Sequence, residues 1–286
     1  MQAVFGNNLY MHLKIAFLIV LSLLSNVICA QLKYPVVGTY KGKSAQGMAI
    51  RNNQAFLFSN GGRCRVLNLI NGIIEFEFML DSADTLNHVN CACFLQNGVD
   101  LLYISECRGE FRCFVEEVDG KKSELKQTIV LKNKKGKNAK VLNWVVDSEN
   151  SFIYAIIRDA KSLNSNGVVH NYFYKFKLPM LEEGIDVILE TKNCKEQFEA
   201  SFPNILQGAK IRNNMMYIVT GLPETASHRR NSKRAIHVID LEKKRLVKTI
   251  DLTYVTTNEP EDIDFYNGKC LLYCGQNGGI YEVDLK

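Results

Sequence analysis

The chain contains Gln46-Gly-Met-Ala-Ile-Arg-Asn-Asn-Gln-Ala-Phe-Leu-Phe58 and repeats it closely as Gln207-Gly-Ala-Lys-Ile-Arg-Asn-Asn-Met-Met-Tyr-Ile-Val219. Three further stretches, each opening on a polar residue, follow the same pattern more loosely: Asn90–Leu102, Asn143–Ala155 and Glu261–Tyr273. The copies begin at positions 46, 90, 143, 207 and 261, which lie 44 to 64 residues apart. A repeat of this length, made of short apolar runs, is typical of the blades of a β-propeller.

Each copy continues in the same way through four predicted strands. A tight turn such as Asn52-Asn53 follows the opening strand, and the hairpin signals Asn71-Gly72 and Asp119-Gly120 precede fourth strands. The strands are rich in Val, Ile, Phe and Tyr, and no stretch of the mature chain has helical periodicity. The sequence therefore predicts an all-β fold, a five-bladed β-propeller.

The fifth blade has only three strands before the chain stops at Lys286. The segment Tyr34–Tyr40 is apolar and extended in character, and we expect it to pair beside Ile280–Leu285 as the missing fourth strand. A ring closed by this N-terminal strand of the mature chain leaves no open edge between its first and last blades.

The first thirty residues have the pattern of a signal peptide. Met11 is the expected true start, since a basic Lys14, the apolar run Ile15–Leu24 and a small-residue end at Ala30 follow it. That apolar run is too short to span a bilayer. We expect a signal peptide over residues 1–30, a single propeller domain over 31–286, a secreted or periplasmic location, a monomer, and no stable membrane insertion.

The net charge and the cysteine content bear on whether the protein binds nucleic acid and whether it forms disulfides. The formal net charge of +5 is mild, and the lysines are not interleaved with aromatic residues, so nucleic acid is not an expected partner. Nine cysteines in an exported chain allow disulfides. Cys107 and Cys113, which flank a turn, are the best candidate pair, while most of the others fit buried free thiols.

The opening residues of the five repeats form the main candidate site. Because the first strand of each propeller blade lines the central channel, these residues should form a polar ring near one mouth: Gln46, Asn90, Asn143, Gln207 and Glu261. Such a ring suits a small polar ligand, a cation or ordered water. The alternative is that it holds only water.

Two further features lie on the same face. His88 precedes Asn90 by two residues and would overhang the mouth, so His88 and Glu261 are the candidate acid and base if the protein is an enzyme. The long loop Thr220–Arg234 carries Arg229 and Arg230, and the stretch Lys132–Lys140 is also basic. Such loops attract anionic groups, or else they are simply solvated.

Other sites are not expected. His88, Cys91 and Cys93 resemble metal ligands, but strand alternation sends the imidazole and the two thiols in opposite directions. No nucleophile elbow and no zinc-protease motif occurs, so we expect neither a metal nor a cofactor. Trp144 and His237 are expected in the core.

The repeats Gln46–Ile50, Ile236–Leu241 and Glu259–Phe265 resemble those of secreted bacterial β-propellers of the broad NHL and TolB-like type. Those families mostly have six or seven blades, so five blades departs from their pattern. The plant-type glutaminyl cyclotransferase is a five-bladed secreted propeller with a polar central site, but its acid-rich motif has no clear match here.

The leading hypothesis is a non-enzymatic, exported propeller that binds a glycan, a peptide or a protein partner at its loop-rich mouth. The alternative is a propeller enzyme, a glutaminyl cyclotransferase-like protein, a lyase or a hydrolase, that uses Glu261 and His88. A third hypothesis is a scaffold in which the ring only closes the fold.

The signal-peptide assignment predicts that the exported protein begins near Gln31, because cleavage follows the small residue Ala30. N-terminal sequencing of protein recovered outside the cytoplasm tests this. Retention of residues 11–30 in that fraction would contradict it.

Overall fold

A computed structural model describes residues 45–95, 100–203, 205–226, 233–275 and 279–286, which form five mainly antiparallel sheets arranged as propeller blades. Blade 1 consists of β1 (Ala45–Arg51), β2 (Gln54–Ser59), β3 (Arg63–Asn68) and β4 (Ile74–Met79). Blade 2 contains β5 (Val89–Phe94), β6 (Leu101–Glu106), β7 (Cys113–Asp119) and β8 (Lys122–Lys132).

Blade 3 is made of β9 (Val141–Asp147), β10 (Phe152–Asp159), β11 (Val168–Lys177) and β13 (Glu196–Pro203), with β12 (Asp186–Glu190) lying between the last two in sequence. Blade 4 consists of β14 (Leu206–Arg212), β15 (Met215–Thr220), β16 (Ala235–Asp240) and β17 (Arg245–Asp251). Blade 5 contains β18 (Pro260–Tyr266), β19 (Lys269–Cys274) and β20 (Ile280–Val283). The five-bladed all-β prediction is confirmed.

Short 3₁₀ helices interrupt some of the connections. They are Ala160–Ser162, Leu181–Glu183, Thr191–Asn193 and Glu224–Ala226. None of the helices among the described residues is long and apolar enough to cross a membrane.

The five innermost strands close a ring around the hub, since β18 of the last blade contacts β1 of the first. The segment Tyr34–Tyr40, predicted to add the fourth strand of blade 5, lies outside the described residues, as does the predicted signal peptide over residues 1–30. Within the described part of the chain, β20 has β19 as its single strand neighbour.

Apolar side chains fill the spaces between neighbouring blades, one cluster for each of the five interfaces. Trp144 is buried between blades 2 and 3, and its indole Nε1 donates to the Phe111 carbonyl at 2.9 Å. His237 is buried and bonds to Thr220 and Thr249. Both residues therefore lie in the core, as expected.

One strand was not predicted. Strand β12 lies in sequence between the third and fourth strands of blade 3, and it pairs in parallel with β8 at the outer edge of blade 2. Val187 of β12 packs into the cluster between blades 2 and 3, and Gln127 donates to the carbonyls of Met180 and Gly184 at 2.9 and 3.0 Å. This strand covers an edge that would otherwise be open and ties two blades together.

The eight cysteines of the described residues are all free thiols, so the candidate Cys107–Cys113 disulfide was wrong. Cys113 lies at the start of β7 in the apolar cluster between blades 2 and 3. Cys107 instead ends near the channel mouth, where it lines a cavity. The two side chains therefore enter different environments although they flank one turn.

The close packing of the hub predicts a strong effect of Gly208→Ala. A Cβ at position 208 would lie 1.9 Å from Asp262 Oδ1 and 2.7 Å from Asp262 Cα, whereas one at the equivalent Gly47 would lie 3.0 Å from the Val89 carbonyl oxygen. We expect Gly208→Ala to lower the free energy of unfolding by about 3 kcal/mol and Gly47→Ala to lower it less. Urea denaturation of both variants measures this, and equal losses would contradict the packing of Asp262 against Gly208.

Candidate functional site

Every innermost strand carries a β-bulge at the position where its repeat begins. The bulges lie between Ala45 and Met48, Val89 and Cys91, Val141 and Asn143, Leu206 and Ala209, and Pro260 and Asp262. A bulge inserts an extra residue and re-aims the side chain beside it. Four of the five repeat-opening residues beside these bulges line a cavity at one mouth of the propeller.

Below this level the channel is filled rather than open. The carboxylate of Asp262 is fully buried and accepts hydrogen bonds from the backbone N–H groups of Met48 at 2.8 Å and Ala92 at 3.4 Å. Met48 is itself fully buried. The ring therefore forms the floor of a cavity at one mouth and does not continue as a pore.

Three of the predicted ring residues bond to one another. Asn90 Nδ2 donates a hydrogen bond to Asn143 Oδ1. The backbone carbonyl oxygen of Gln207 accepts from Asn90 Nδ2 at 3.1 Å and from Asn143 Nδ2 at 2.6 Å. Gln207 Nε2 donates to Glu259 Oε1 at 2.8 Å. Asn143 is fully buried beneath the cavity and does not line it. These three amides hold blades 2, 3 and 4 together.

The other two ring residues keep unused hydrogen-bonding capacity. Gln46 is 7% exposed, and its buried Oε1 has no hydrogen-bond partner among the described residues. Glu261 is 5% exposed, and no described residue donates a hydrogen bond to its carboxyl group. Gly275 leaves the space that this carboxyl occupies, because a Cβ there would lie 2.3 Å from Glu261 Oε1.

The electrostatic setting of Glu261 favours its protonated form. Burial, followed by the nearby carboxylates of Glu259 and Asp262, raises the pKa of Glu261 well above its usual range. An ordinary glutamate would be ionised at neutral pH. Glu261 therefore holds its proton to higher pH and can act as a hydrogen-bond donor as well as an acceptor.

The cavity above this floor has a volume of about 390 Å³. Its walls combine the ring with residues from the rim: Ala45, Gln46, Asn60, His88, Asn90, Cys107, Arg108, Ile205, Leu206, Gln207, Leu222, Glu259 and Glu261. His88 and Glu261 both line this cavity. Burial and, secondarily, the positive charge of Arg108 lower the pKa of His88 to about 4, so its imidazole is neutral at neutral pH.

Sequence reasoning missed Cys107 and Arg108, which reach the cavity from the turn between β6 and β7. Glu106 is fully buried and accepts from the Arg112 guanidinium at two atoms, each at 3.0 Å. On the other side of the turn, the Trp144 indole N–H donates a hydrogen bond to the Phe111 carbonyl. The turn is thus anchored at both ends, and only the pairing of Glu106 with Arg112 could have pointed to it in the sequence.

The remaining predictions concern the basic loops and metals. Arg229 and Arg230 lie outside the described residues. None of the lysines from Lys132 to Lys140 lines the cavity. Within the described ranges, no group of three or more His, Cys, Asp or Glu side chains is arranged to hold a metal ion. His88 faces the mouth, whereas the Cys91 thiol donates to the Ala209 carbonyl in the hub at 2.9 Å.

No protein-family model matches this sequence, and no curated protein matches it. Among solved structures, the fold is similar to that of the glutaminyl cyclase of Myxococcus xanthus, with a TM-score of 0.52 and 14% sequence identity. The similarity covers 84% of this chain and 89% of the cyclase. It supports the propeller part of the resemblance stated above, and it does not confirm the NHL or TolB-like type.

The raised pKa of Glu261 predicts how stability depends on pH. A carboxyl whose pKa is higher in the folded than in the unfolded chain makes the protein lose stability as the pH rises from about 4.5 through the folded-state pKa. Glu261→Gln removes this titration, so its free energy of unfolding should fall less than that of the wild type between about pH 5 and pH 8. Urea denaturation at both pH values measures the difference.

Glu199→Gln is the matched control for this measurement, because Glu199 is exposed on β13 at the outer edge of blade 3. Its pH dependence should follow the wild type. If Glu261→Gln also follows the wild type, Glu261 is not perturbed by its surroundings.

Proposed function

We propose that this protein is an exported, non-enzymatic propeller that binds the N-terminal end of a peptide in the channel-mouth cavity. The observation that carries the proposal is that one cavity is lined both by Gln46, whose buried Oε1 has no hydrogen-bond partner among the described residues, and by the buried carboxyl group of Glu261. Buried polar groups are nearly always hydrogen-bonded, so a ligand that carries N–H donors fits them.

The charge around the cavity favours a ligand with a cationic amine at one end. Glu261 and Glu259 lie together on the floor, where an ammonium group would be paired with carboxylates. Arg108 lies on the rim, where its guanidinium can donate to peptide carbonyl oxygens. Ile205 and Leu222 supply an apolar wall for a side chain. A peptide N-terminus presents all three kinds of group within a few ångströms.

Binding of an ammonium group should be linked to the ionisation of Glu261. The raised pKa of Glu261 favours the protonated carboxyl to higher pH than in an ordinary glutamate, whereas an ammonium ligand would favour the carboxylate. Binding then releases a proton, and the affinity rises with pH until the ligand amine itself loses its proton, at about pH 8.

Isothermal titration calorimetry with a short peptide that begins with Gln, compared with the same peptide acetylated at its N-terminus, tests the proposal. The free peptide should bind with release of protons, seen as a heat that depends on the ionisation enthalpy of the buffer. The acetylated peptide and the Glu261→Gln variant should each bind about tenfold more weakly or worse, whereas Glu199→Gln should bind normally. Equal binding of the free and acetylated peptides would overturn the proposal.

A second candidate function is a cyclotransferase that acts on N-terminal glutamine, favoured by the similarity to a glutaminyl cyclase and by the acid–base pair in the cavity. In such a reaction the α-amine attacks the side-chain amide carbon, the C–N bond to the amide nitrogen breaks, and ammonia leaves. Glu261 would donate a proton to the leaving nitrogen, and the neutral His88 would accept one from the attacking amine.

Release of ammonia from the Gln peptide separates the two functions. A binding protein releases none, and an enzyme releases it at a rate that Glu261→Gln lowers by about a hundredfold or more. Proton-linked binding of a peptide that begins with Gly, which cannot cyclise, would support the binding function whatever the result with Gln.

A further inference from the structure

The opposite mouth of the propeller holds a second and larger cavity, of about 680 Å³. It is formed where the turns that join the first and second strands of blades 1, 3, 4 and 5 converge, at Asn52, Glu149, Asn213 and Asn267. Asn52, Asn213 and Asn267 have positive φ values of 54°, 50° and 47°. Asparagine is the non-glycine residue best suited to that conformation, so the tight turns themselves place amide groups around the rim.

The second cavity is separate from the site at the first mouth. The filled hub, including the buried Asp262 and Met48, lies between them, and the two cavities have no lining residue in common. An inference about this cavity therefore goes beyond the proposed function and does not depend on it.

Most of the charged groups that line this cavity are already paired. Lys210 Nζ lies 2.8 Å from Asp264 Oδ2, and both side chains are largely buried. The carboxylate of Asp264 also accepts from the backbone N–H of Ile50 at 2.8 Å. Glu149 accepts from the backbone N–H of Asn213 at 3.1 and 3.3 Å. The Lys210–Asp264 ion pair neutralises the floor of the cavity, whereas Glu149 keeps its negative charge.

The two arginines that line the cavity are held differently, each against an aromatic ring. The Arg212 guanidinium lies 4.8 Å from the centre of the Phe265 ring and has no carboxylate within ion-pair distance among the described residues. The Arg51 guanidinium lies 4.6 Å from the Phe94 ring centre. Its Nη1 forms an ion pair with the exposed Asp100 carboxylate at 2.9 Å.

We propose that this cavity binds a small oxyanion, a carboxylate or a phosphate group, through Arg212 with Arg51 as the second contact. Stacking on an aromatic ring fixes the plane of a guanidinium and leaves its edge N–H groups free, and that edge matches the two oxygens of a carboxylate or phosphate. The side-chain amides of Asn52, Asn213 and Asn267 can then donate to the rest of the ligand.

The acidic residues on the rim limit which anions can enter. Asp100 and Glu149 repel a highly charged ligand, whereas a singly charged one with hydroxyl groups can use their oxygens as acceptors. A sugar acid, with one carboxylate and several hydroxyl groups, therefore fits the cavity better than inorganic phosphate.

Titration calorimetry of the full mature chain with glucuronate and with inorganic phosphate, at low salt, tests the proposal. Saturable binding of at least one of them is expected, and binding of glucuronate alone identifies a sugar-type carboxylate as the preferred chemistry. Arg212→Gln should weaken binding about tenfold or more, because it removes a charge-assisted contact. Arg245→Gln, which removes the same charge from an exposed site on β17, should bind as the wild type does.

A second variant distinguishes a loss of binding from a folding defect caused by Arg212→Gln. Phe265→Leu keeps the charge and removes the ring that orients it, so it should weaken binding by a smaller factor while the circular dichroism spectrum stays unchanged. The proposal is overturned if neither probe binds the wild type. It is also overturned if Arg212→Gln and Arg245→Gln weaken binding equally, or if Glu261→Gln, at the other mouth, abolishes it.

Discussion

The structure depends on how the innermost strands satisfy their backbone groups at the hub. Each of these strands has a sheet neighbour on one side only, so alternate N–H groups point toward the axis without a strand partner. Asp262 and Asp264 of blade 5 accept hydrogen bonds from Met48, Ile50 and Ala92 of blades 1 and 2. Two carboxylates from one strand therefore replace the missing ladder for its neighbours across the axis.

This arrangement requires close approach of the strands. Gly208 of blade 4 packs directly against Asp262, and Gly47 of blade 1 packs against blade 2. The axis is filled as a result, and what could have been one channel becomes two unconnected cavities, one at each mouth. The burial that fills the hub also raises the pKa of Asp262 and of its neighbour Glu261.

The five ring residues form two groups, one that joins blades through hydrogen bonds and one that lines the cavity. Asn90, Asn143 and Gln207 bond to one another and to the backbone of blade 4, so they join three blades. Gln46 and Glu261, from blades 1 and 5, line the cavity, and Gln46 Oε1 has no hydrogen-bond partner among the described residues. The site therefore lies where the first and last repeats meet, beside the rigid turn that carries Arg108.

The sequence by itself determined the number of blades and the four-strand order of blades 1 to 4, because strand alternation and turn chemistry are local and repeat with the copies. Four of the five repeat-opening residues that it singled out line the cavity at the mouth. It also placed Trp144 and His237 in the core. Only the tertiary structure decided which ring amides are occupied, that Cys107 and Arg108 join the cavity, that β12 crosses to blade 2, and that the axis is closed. The physical reason is distance along the chain. The hydrogen bond from the Met48 backbone N–H to the Asp262 carboxylate joins residues 214 positions apart, and a local sequence pattern does not indicate which of two similar polar side chains forms such a bond.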